Sequence, residues 1–311
     1  MKSKCVDAGR EGCPCELAEY GACPVCAKLA GGTCDDCSFP GSCIYSLYVQ
    51  NGRKQVAGRR ERLMQVETVK TYSEDFKVLV IKAEKGFCQK AQTAGAYVFV
   101  RAEGESRWHD MPVSVLKAEP EEERIHLGIS RCGVKSASIL HAAERSGNFG
   151  MKIWVRGVYY NGLRGLAALR ENAEKAVVFV KGIAAAPFRN FLDGGSRYTK
   201  WLSDMRIYAD LDKVGYDFFY DYFGDLPAES VEIRSFAEDC MGEARDESGA
   251  FENANVLALT SPYYADLIQK AAEQKVVRPA DANFCCGEGT CGACTCTDEN
   301  GKTVHRCKMR D

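Results

Sequence analysis

The chain has 311 residues, of which 46% are hydrophobic, and this predicts two or three domains with ordinary cores. Its formal net charge of −2 argues against nucleic acid and anionic membranes as partners, because both attract strongly basic surfaces. The sequence begins without an apolar signal region, and no stretch approaches the roughly 20 apolar residues of a membrane span. We therefore expect a cytoplasmic protein.

The cysteines are concentrated at the two ends of the chain. Of 17 in total, eight lie in the first 43 residues and six in the last 27. The other three, Cys88, Cys132 and Cys240, are interpreted as ordinary buried thiols. Because the cytoplasm keeps thiols reduced, the terminal cysteines are predicted to be metal ligands rather than disulfides.

Residues 1–58 form a cysteine-rich segment with few periodic apolar residues, so it cannot build a sufficient core alone. Metal binding would supply the missing folding energy. Its two C-x2-C pairs are separated by only seven residues, less than the roughly 15–20 of a zinc ribbon. Eight thiols would serve two four-thiolate sites, either iron–sulfur clusters or zinc, with disulfides or unligated thiols as the remaining alternatives. The predicted ligands are Cys13, Cys15, Cys23, Cys26, Cys34, Cys37 and Cys43. Cys5, upstream of this denser group and near a terminus, is the weakest candidate.

Residues 59–158 are predicted to form a small antiparallel β-barrel. Short segments alternate apolar and polar residues or are rich in β-branched residues, and Gly, Pro and charged turns separate them. The predicted strands cover residues 61–72, 75–83, 95–104, 111–120, 123–131 and 149–160. One helix, over residues 135–144, interrupts the series. Five or six such strands are typical of a barrel.

Residues 159–280 are predicted to form a doubly wound α/β domain. Near-continuous apolar runs, typical of parallel strands, alternate with amphipathic helices. The strands are expected at residues 176–183, 205–211, 230–236 and 255–260, and the helices at 186–202, 215–225 and 262–275. The aromatic run between Tyr216 and Phe223 is interpreted as core or interface.

Residues 281–311 contain a cysteine loop with the spacing C-x4-C-x2-C, followed by a fourth cysteine after twelve residues. Plant-type ferredoxins hold a 2Fe–2S cluster with this spacing. The predicted ligands are Cys286, Cys291, Cys294 and Cys307. Three glycines within the loop allow the backbone to curl so that amide N–H groups point at the sulfurs.

Zinc or disulfides are the alternatives for this loop. Cys285 and Cys296 are taken as neighbours of the ligands, although the adjacent pair Cys285-Cys286 leaves a register error of one residue open. His305, two residues before Cys307, is the alternative fourth ligand.

The order of barrel, doubly wound half and cysteine loop, over residues 59–311, resembles the electron-transfer subunits of dihydroorotate dehydrogenase and related sulfide dehydrogenase-like proteins. These belong to the ferredoxin–NADP reductase superfamily. The resemblance implies a ferredoxin reductase-like fold with a 2Fe–2S cluster and FAD. In the family an R-P-[LIV]-S-[LIV] strand binds the flavin, and here Met111-Pro112-Val113-Ser114 stands in its place. Pro112 and Ser114 match, whereas Met111 replaces the arginine.

Two further segments are assigned to FAD by the resemblance. The helix start that cradles the pyrophosphate corresponds to Gly133-Val134-Lys135-Ser136, and a helix N-terminus is suited to an anion. The family's following G-P-x-G-N-G-F segment is represented by Gly157, Asn161 and Gly162. No catalytic side chain is predicted.

The pyridine-nucleotide half departs from the family. Lys181 and Ala184 replace glycines in the loop that lets a pyrophosphate lie against the backbone, and Thr260-Ser261-Pro262 replaces C-G-P near the nicotinamide. An added Cβ obstructs a close-approach loop. We therefore expect poor NAD(P) binding.

The N-terminal segment is similar to cysteine-rich extensions on a subset of the same relatives. The shared features are the C-P-C run at residues 13–15, the C-x2-C pair at 23–26 and the G-x-C-I-Y segment at 41–45. The resemblance implies no function for this extension.

The sequence thus predicts a flavin and iron–sulfur electron-transfer protein, one subunit of a cytosolic oxidoreductase that works with a catalytic subunit or a ferredoxin-like carrier. A self-contained NAD(P)H-dependent reductase is the first alternative. A zinc-stapled scaffold that binds a partner without redox activity is the second.

Overall fold

The computed structural model describes residues 5–35, 37–56, 58–146, 150–194, 204–245, 249–280, 283–298, 301 and 303–310. The chain divides into two compact units. One consists of Met1–Glu61 together with Ala282–Asp311, and the other of Arg62–Asp281. The two cysteine-rich ends of the sequence therefore belong to the same unit.

Six antiparallel strands close into a barrel in the larger unit, in the order β1-β2-β5-β4-β3-β6. They are β1 (Glu61–Thr71), β2 (Phe76–Lys82), β3 (Tyr97–Ala102), β4 (Met111–Glu119), β5 (Arg124–Ser130) and β6 (Lys152–Tyr159). Each overlaps one of the predicted strands, and the barrel prediction is confirmed. The alternating apolar residues form its core, where Leu79, Ile81, Val98, Ile125 and Leu127 are fully buried.

Two helices pack against the barrel. The predicted helix is α4 (Val134–Ser146), which buries Ile139, Leu140 and Ala143. The other, α3 (Lys85–Ala91), has no counterpart in the sequence prediction. Its seven residues are fewer than two turns, too short for a helical period to be recognised.

Four parallel strands form the sheet of the α/β half, in the order β10-β9-β8-β11. They are β8 (Lys175–Lys181), β9 (Met205–Asp210), β10 (Val231–Ile233) and β11 (Ala254–Leu259). A short antiparallel pair, β7 (Leu163–Arg164) and β12 (Arg278–Pro279), accompanies the sheet. The chain moves outward from β8 to β10 and returns on the other side as β11, which confirms the doubly wound prediction and places the reversal of strand order between β8 and β11.

The helices of this half are α5 (Ala185–Gly194), α6 (Gly215–Phe223), α7 (Phe236–Asp239) and α8 (Pro262–Ala272). The helix predicted over residues 186–202 is seen as α5, and its predicted C-terminal part lies outside the described residues. On α6, Phe218, Phe219, Tyr222 and Phe223 are buried, as expected for core aromatics. Tyr216 and Tyr220 on the opposite face are exposed.

The smaller unit contains short elements: α1 (Glu16–Glu19), α2 (Ile44–Gln50), β13 (Thr295–Thr297), β14 (Thr303–His305) and single 3-10 turns at Ala27–Ala30 and Arg306–Lys308. Its apolar cluster is small and centres on Ala18, Leu29 and Ile44. The N-terminal segment pairs with the C-terminal segment of the chain. Cys5 forms an isolated antiparallel β-bridge with Met309, and the Val6 amide donates to the Lys308 carbonyl at 2.9 Å.

Among the described residues, no helix is both long enough and apolar enough to cross a membrane.

Candidate functional site

The four C-terminal cysteines predicted as ligands contact one another in a single chain of sulfurs. The thiols of Cys291 and Cys307 both hydrogen-bond to Cys286, and Cys307 also bonds Cys294. We call Cys286, Cys291, Cys294 and Cys307 the C-terminal cysteine set. Cys294 and Cys307 are buried, whereas Cys291 is exposed. Cys307 is thus brought to the loop despite the twelve residues between it and Cys294.

Backbone amides point at these sulfurs. The amide of Glu288 donates to Cys286 Sγ at 3.3 Å, and the amide of Cys307 donates to Cys294 Sγ at 3.4 Å. Gly287, Gly289 and Gly292 all have positive φ, between 70° and 81°, which produces the curled loop. A Cβ at Gly289 would lie 2.9 Å from Leu17 Cδ1, so this position requires glycine for packing as well.

The contacts shift the pKa values of Cys286 and Cys307 in opposite directions. Hydrogen bonding from Cys307 lowers the pKa of Cys286, and the same bond raises the pKa of Cys307. In the described part of the chain, no three His, Cys, Asp or Glu side chains surround a single ion position. Contacts instead join the four sulfurs in the order Cys291, Cys286, Cys307, Cys294. Four thiols are the donor type and number that a binuclear iron cluster takes, two on each iron.

Three neighbours of the C-terminal cysteine set were considered for this site: Cys285, Cys296 and His305. Among the described residues, no hydrogen bond joins them to the four sulfurs. Cys285 is exposed and Cys296 is half-buried in β13. His305 Nδ1 lies 3.4 Å from Thr295 Oγ1, across the β13–β14 pair. This contact gives His305 a role in the hairpin.

Four of the N-terminal cysteines lie near one another: Cys13, Cys15, Cys23 and Cys26, the first N-terminal set. Burial raises the pKa of Cys13 to about 11, and the charges of Cys15 and Cys23 act in the same direction. The Cys26 amide donates to Cys23 Sγ at 3.3 Å, so the C-x2-C turn directs an N–H group at a sulfur as the C-terminal loop does. These four thiols do not converge on one ion position.

The other predicted N-terminal ligands, Cys34, Cys37 and Cys43, are exposed. Cys43 Sγ accepts from the Ser46 amide at 3.4 Å and so caps α2. Within the described residues, no contact joins these three thiols to the first N-terminal set. Cys5 is buried, and burial followed by the charge of Asp7 raises its pKa to about 12.

The residues predicted to hold the flavin ring begin strand β4. Ser114 lies opposite Tyr97 and Pro112 opposite Phe99 on β3. Val113 points into the core, Met111 and Ser114 are half-buried, and Pro112 is exposed. This stretch of β4 therefore offers an accessible edge at its N-terminal end.

The predicted pyrophosphate cradle is the start of α4. Ser136 Oγ accepts from the amides of Cys132 and Gly133 at 2.9 and 3.2 Å and donates to the Gly133 carbonyl, which fixes the turn. Lys135 Nζ donates to the Asp110 carbonyl at 2.9 Å. The amides of the first helical turn have no partner within the helix, and they share this end with the Lys135 ammonium. The Lys135 bond brings the cradle beside the start of β4.

A buried triad of charges beneath this region was missed by sequence reasoning. Asp110 pairs with Arg101 at 2.8 Å and with Arg156 at 3.0 Å. The Arg156 guanidinium also lies 4.5 Å from the centre of the Phe99 ring. The triad carries a net positive charge close to Met111, which follows Asp110 directly. Arg131, which precedes the predicted pyrophosphate cradle, forms an ion pair with Asp75 at 2.7 Å. Arg101, Asp110 and Arg156 come from separate strands and loops, so no local sequence pattern predicts that they form a triad.

Gly157, Asn161 and Gly162 are accounted for by packing on β3 and the turn before it. A Cβ at Gly157 would lie 2.9 Å from Val98 Cγ1, and one at Gly162 would lie 2.7 Å from the Gly95 carbonyl oxygen. Asn161 Oδ1 accepts from the Tyr97 hydroxyl at 3.3 Å. The structure thus gives these three residues a role in the fold that is independent of any flavin.

Internal contacts involve residues at the carboxyl edge of the parallel sheet. Lys181 Nζ lies 2.5 Å from Asp210 Oδ2. Burial would raise the pKa of Asp210, but hydrogen bonds from Lys181 and the Phe236 amide outweigh burial and lower it. At the end of β11, Thr260 Oγ1 donates to the Ser261 carbonyl at 3.0 Å. Lys181 and Thr260 therefore both lie at the carboxyl edge of the sheet, at the ends of β8 and β11.

A separate open cavity of about 560 Å³ lies on the outer face of the barrel, lined by Lys70, Glu119, Arg124 and His126 among others. His126 is buried between Tyr222, whose hydroxyl lies 2.8 Å from Nδ1, and Glu119, at 3.0 Å from Nε2. Burial lowers the pKa of His126. The neutral ring then donates from Nε2 to Glu119 and accepts the Tyr222 proton at Nδ1.

No family model matches the sequence, and the comparison with curated proteins finds no match. Solved structures do match. The NADH-dependent reduced ferredoxin–NADP oxidoreductase, from a study of flavin-based electron bifurcation, is 15% identical, with a TM-score of 0.56 over 79% of this chain and 86% of that one. A ferredoxin–NADP reductase from Neisseria gonorrhoeae, solved with FAD and NADP, is 13% identical, with a TM-score of 0.50 over 69% and 91%.

Full-length CYP116B46 from Tepidiphilus thermophilus is 15% identical, with a TM-score of 0.53. The match covers 80% of this chain but only 40% of the length of CYP116B46. At these identities the likeness concerns the fold. The closed barrel followed by the parallel sheet is the ferredoxin reductase-like fold.

Proposed function

We propose that this chain is a flavin and iron–sulfur electron-transfer protein, one subunit of an oxidoreductase. The observation that carries the proposal is the contact among Cys286, Cys291, Cys294 and Cys307, four thiols with ferredoxin spacing, in a chain with a ferredoxin reductase-like fold. FAD exchanges electrons in pairs or singly and a 2Fe–2S cluster exchanges them singly, so together they divide a two-electron exchange into single steps.

The C-terminal cysteine set would hold the cluster. Two thiols are buried and one is exposed, so the site is shielded on one side and open to an electron-transfer partner on the other. The Glu288 and Cys307 amides would stabilise negative charge on the sulfurs.

FAD would lie along the start of β4, with its pyrophosphate at the first turn of α4. The first-turn amides and Lys135 would hold the anion, and the Asp110–Arg101–Arg156 triad would supply positive charge beneath it. A neighbour of similar fold was solved with FAD and NADP, and this supports a flavin in this chain.

The first N-terminal set would hold a second metal centre, either an iron–sulfur cluster or zinc. Its support is the proximity of Cys13, Cys15, Cys23 and Cys26 and the amide directed at Cys23. The exposed Cys34, Cys37 and Cys43 would complete a further site only if their loops close around a metal.

Electrons would enter or leave through a protein partner, a catalytic subunit or a ferredoxin-like carrier. The Lys181–Asp210 pair fills the place where a dinucleotide phosphate would approach the backbone, and it makes direct reduction by NAD(P)H the weaker reading.

The test is anaerobic purification followed by analysis of iron, acid-labile sulfide, zinc and flavin. We expect flavin absorption, at least two irons and two sulfides per chain, and an EPR signal of a reduced 2Fe–2S centre. A colourless protein loaded with zinc would overturn the proposal and favour the partner-binding scaffold.

A further inference from the structure

Four charged side chains, three of them buried, join the two ends of the sequence. They are Asp7 from the N-terminal chain, Arg59 from the end of the cysteine-rich segment, Glu288 from the cluster loop and Lys308 next to Cys307. Asp7 and Lys308 have side chains that are each only 2% exposed, and that of Arg59 is 6% exposed. We call these four residues the ion network.

The contacts form a closed circuit. Asp7 Oδ1 lies 2.5 Å from Arg59 Nη2, and Asp7 Oδ2 lies 2.8 Å from Lys308 Nζ. Glu288 completes the circuit, because its carboxylate lies 3.2 Å from Arg59 Nη1 and 2.9 Å from Lys308 Nζ. Two cations and two anions therefore neutralise one another, and every member touches two opposite charges.

The network reaches the proposed cluster at two points. Glu288 follows Cys286 by two residues, and its amide donates to Cys286 Sγ at 3.3 Å. Lys308 follows Cys307 directly, and its carbonyl accepts from the Val6 amide. The N-terminal chain thus holds both the loop that carries Cys286 and the turn that carries Cys307.

Stability alone is a weak reason for such a network. Desolvation of buried ion pairs offsets much of their attraction, and apolar residues of similar volume stabilise a core as well. The charges do change the electrostatic potential at a nearby cluster, because the low interior dielectric screens them little.

We propose that Asp7 is a positioning residue for the C-terminal cysteine set, and that the ion network sets the reduction potential of the cluster held there. The inference rests on the proposed 2Fe–2S site. It makes the N-terminal extension part of the electron-transfer centre.

One-electron reduction adds one negative charge to the cluster. Lys308 and Arg59 stabilise the reduced form, whereas Asp7 and Glu288 stabilise the oxidised form. Removing a cation must therefore lower the reduction potential, and removing an anion must raise it. Mere loosening of the structure has no reason to move the two classes of variant in opposite directions.

The experiment is an EPR-monitored redox titration of the anaerobically purified full chain and its variants. Lys308→Met should lower the potential and Asp7→Asn should raise it, each changing the reduced-to-oxidised ratio at fixed potential about tenfold. Tenfold corresponds to about 59 mV for a one-electron couple. The double variant should return toward the native value, because it again leaves the network neutral. Lys54→Met removes an exposed cation from the same unit and should leave the potential unchanged.

Glu288→Gln provides a test that does not depend on the more buried variants, which could misfold, because the Glu288 side chain is 27% exposed. It should also raise the potential. Shifts of the same sign in the Lys308 and Glu288 variants, or none, would refute the inference while the cluster itself remains. Absence of a 2Fe–2S signal from the native chain would instead refute the proposed function.

Discussion

Lys181 and Asp210 face each other as register partners at the carboxyl ends of β8 and β9, and their side chains form an ion pair of 2.5 Å. Asp210 also accepts hydrogen bonds from the amides of Asp212 and Phe236. The carboxylate is thus held by three donors, and the lysine is fixed at the end of β8. In a doubly wound fold, the turn that follows the first strand receives the nucleotide phosphate.

This pair predicts that the flavin-loaded chain is a poor NAD(P)H oxidase. A phosphate arriving at this edge must displace Lys181 from Asp210 or approach past its side chain. Stopped-flow mixing with NADH and with NADPH should leave the flavin oxidised on the millisecond scale, whereas dithionite should reduce it completely. Flavin bleaching within milliseconds by either nucleotide would contradict the prediction and make the self-contained reductase the better reading.

A second prediction concerns ligand identity in the C-terminal set. Cys291→Ser should abolish the EPR signal of the reduced 2Fe–2S centre, because Cys291 is one of the two thiols bonded to Cys286. Cys285→Ser is the matched control, since that exposed neighbour lies outside the sulfur chain. The control should keep the full signal. Loss of the signal in the Cys285 control would mean that Cys285 is the ligand instead of Cys286, and an unchanged signal in the Cys291 variant would contradict the assignment.

A third prediction concerns the flavin site. Met111→Arg should tighten FAD binding by about 1–3 kcal/mol, the range for a charge-assisted hydrogen bond. Trp108 is 86% exposed and lies three residues before Met111, so quenching of its fluorescence should report FAD binding during titration.

Leu63→Arg adds the same charge at an exposed position on β1 and should leave the FAD affinity unchanged. Equal affinity of the native chain and the Met111 variant would mean that the Asp110–Arg101–Arg156 triad already supplies the cation, or that β4 does not carry the flavin.

Local patterns predicted the elements well where packing is one-sided or fully buried. The alternation in β4 and the apolar run of β8 follow from their positions in the barrel wall and in a covered parallel sheet. Cysteine spacing likewise singled out four cysteines whose sulfurs are linked by contacts, and their role as ligands stays a prediction. Short α3 was missed because it has too few residues to show a period.

Long-range contacts could not be predicted in this way. Asp7 and Lys308 are 301 positions apart, and neither residue belongs to a recognisable motif. Gly157 and Gly162 show a second limit of local patterns, and their place in the flavin site stays a prediction. Assigned to the flavin by resemblance, each is already required by the close approach of a neighbouring chain segment. A glycine pattern records a need for space and does not say what fills it.

The last prediction is a loss of stability below pH 6.5 caused by His126. Burial lowers the pKa of this side chain below its ordinary 6.5, and the charges of Lys117 and Lys70 act in the same direction against the opposing bond to Glu119. The unfolded chain therefore binds a proton at a pH where the folded chain does not, so stability falls as the pH drops through 6.5. The slope is at most about 1.4 kcal/mol per pH unit for one proton.

Glu119 does not contribute to the loss of stability in the pH range where His126 titrates. Hydrogen bonds from Lys117 and His126 outweigh burial and lower its pKa from 4.5, so its stabilising contribution is lost only in more acidic solution. Urea midpoints measured between pH 8 and about pH 5 should fall for the native chain and stay flatter for His126→Gln, whose amide can replace both hydrogen bonds. His141→Gln, at an exposed position of α4, should retain the native pH dependence. The same decline in the His126 variant as in the native chain would show that another group governs stability in this range.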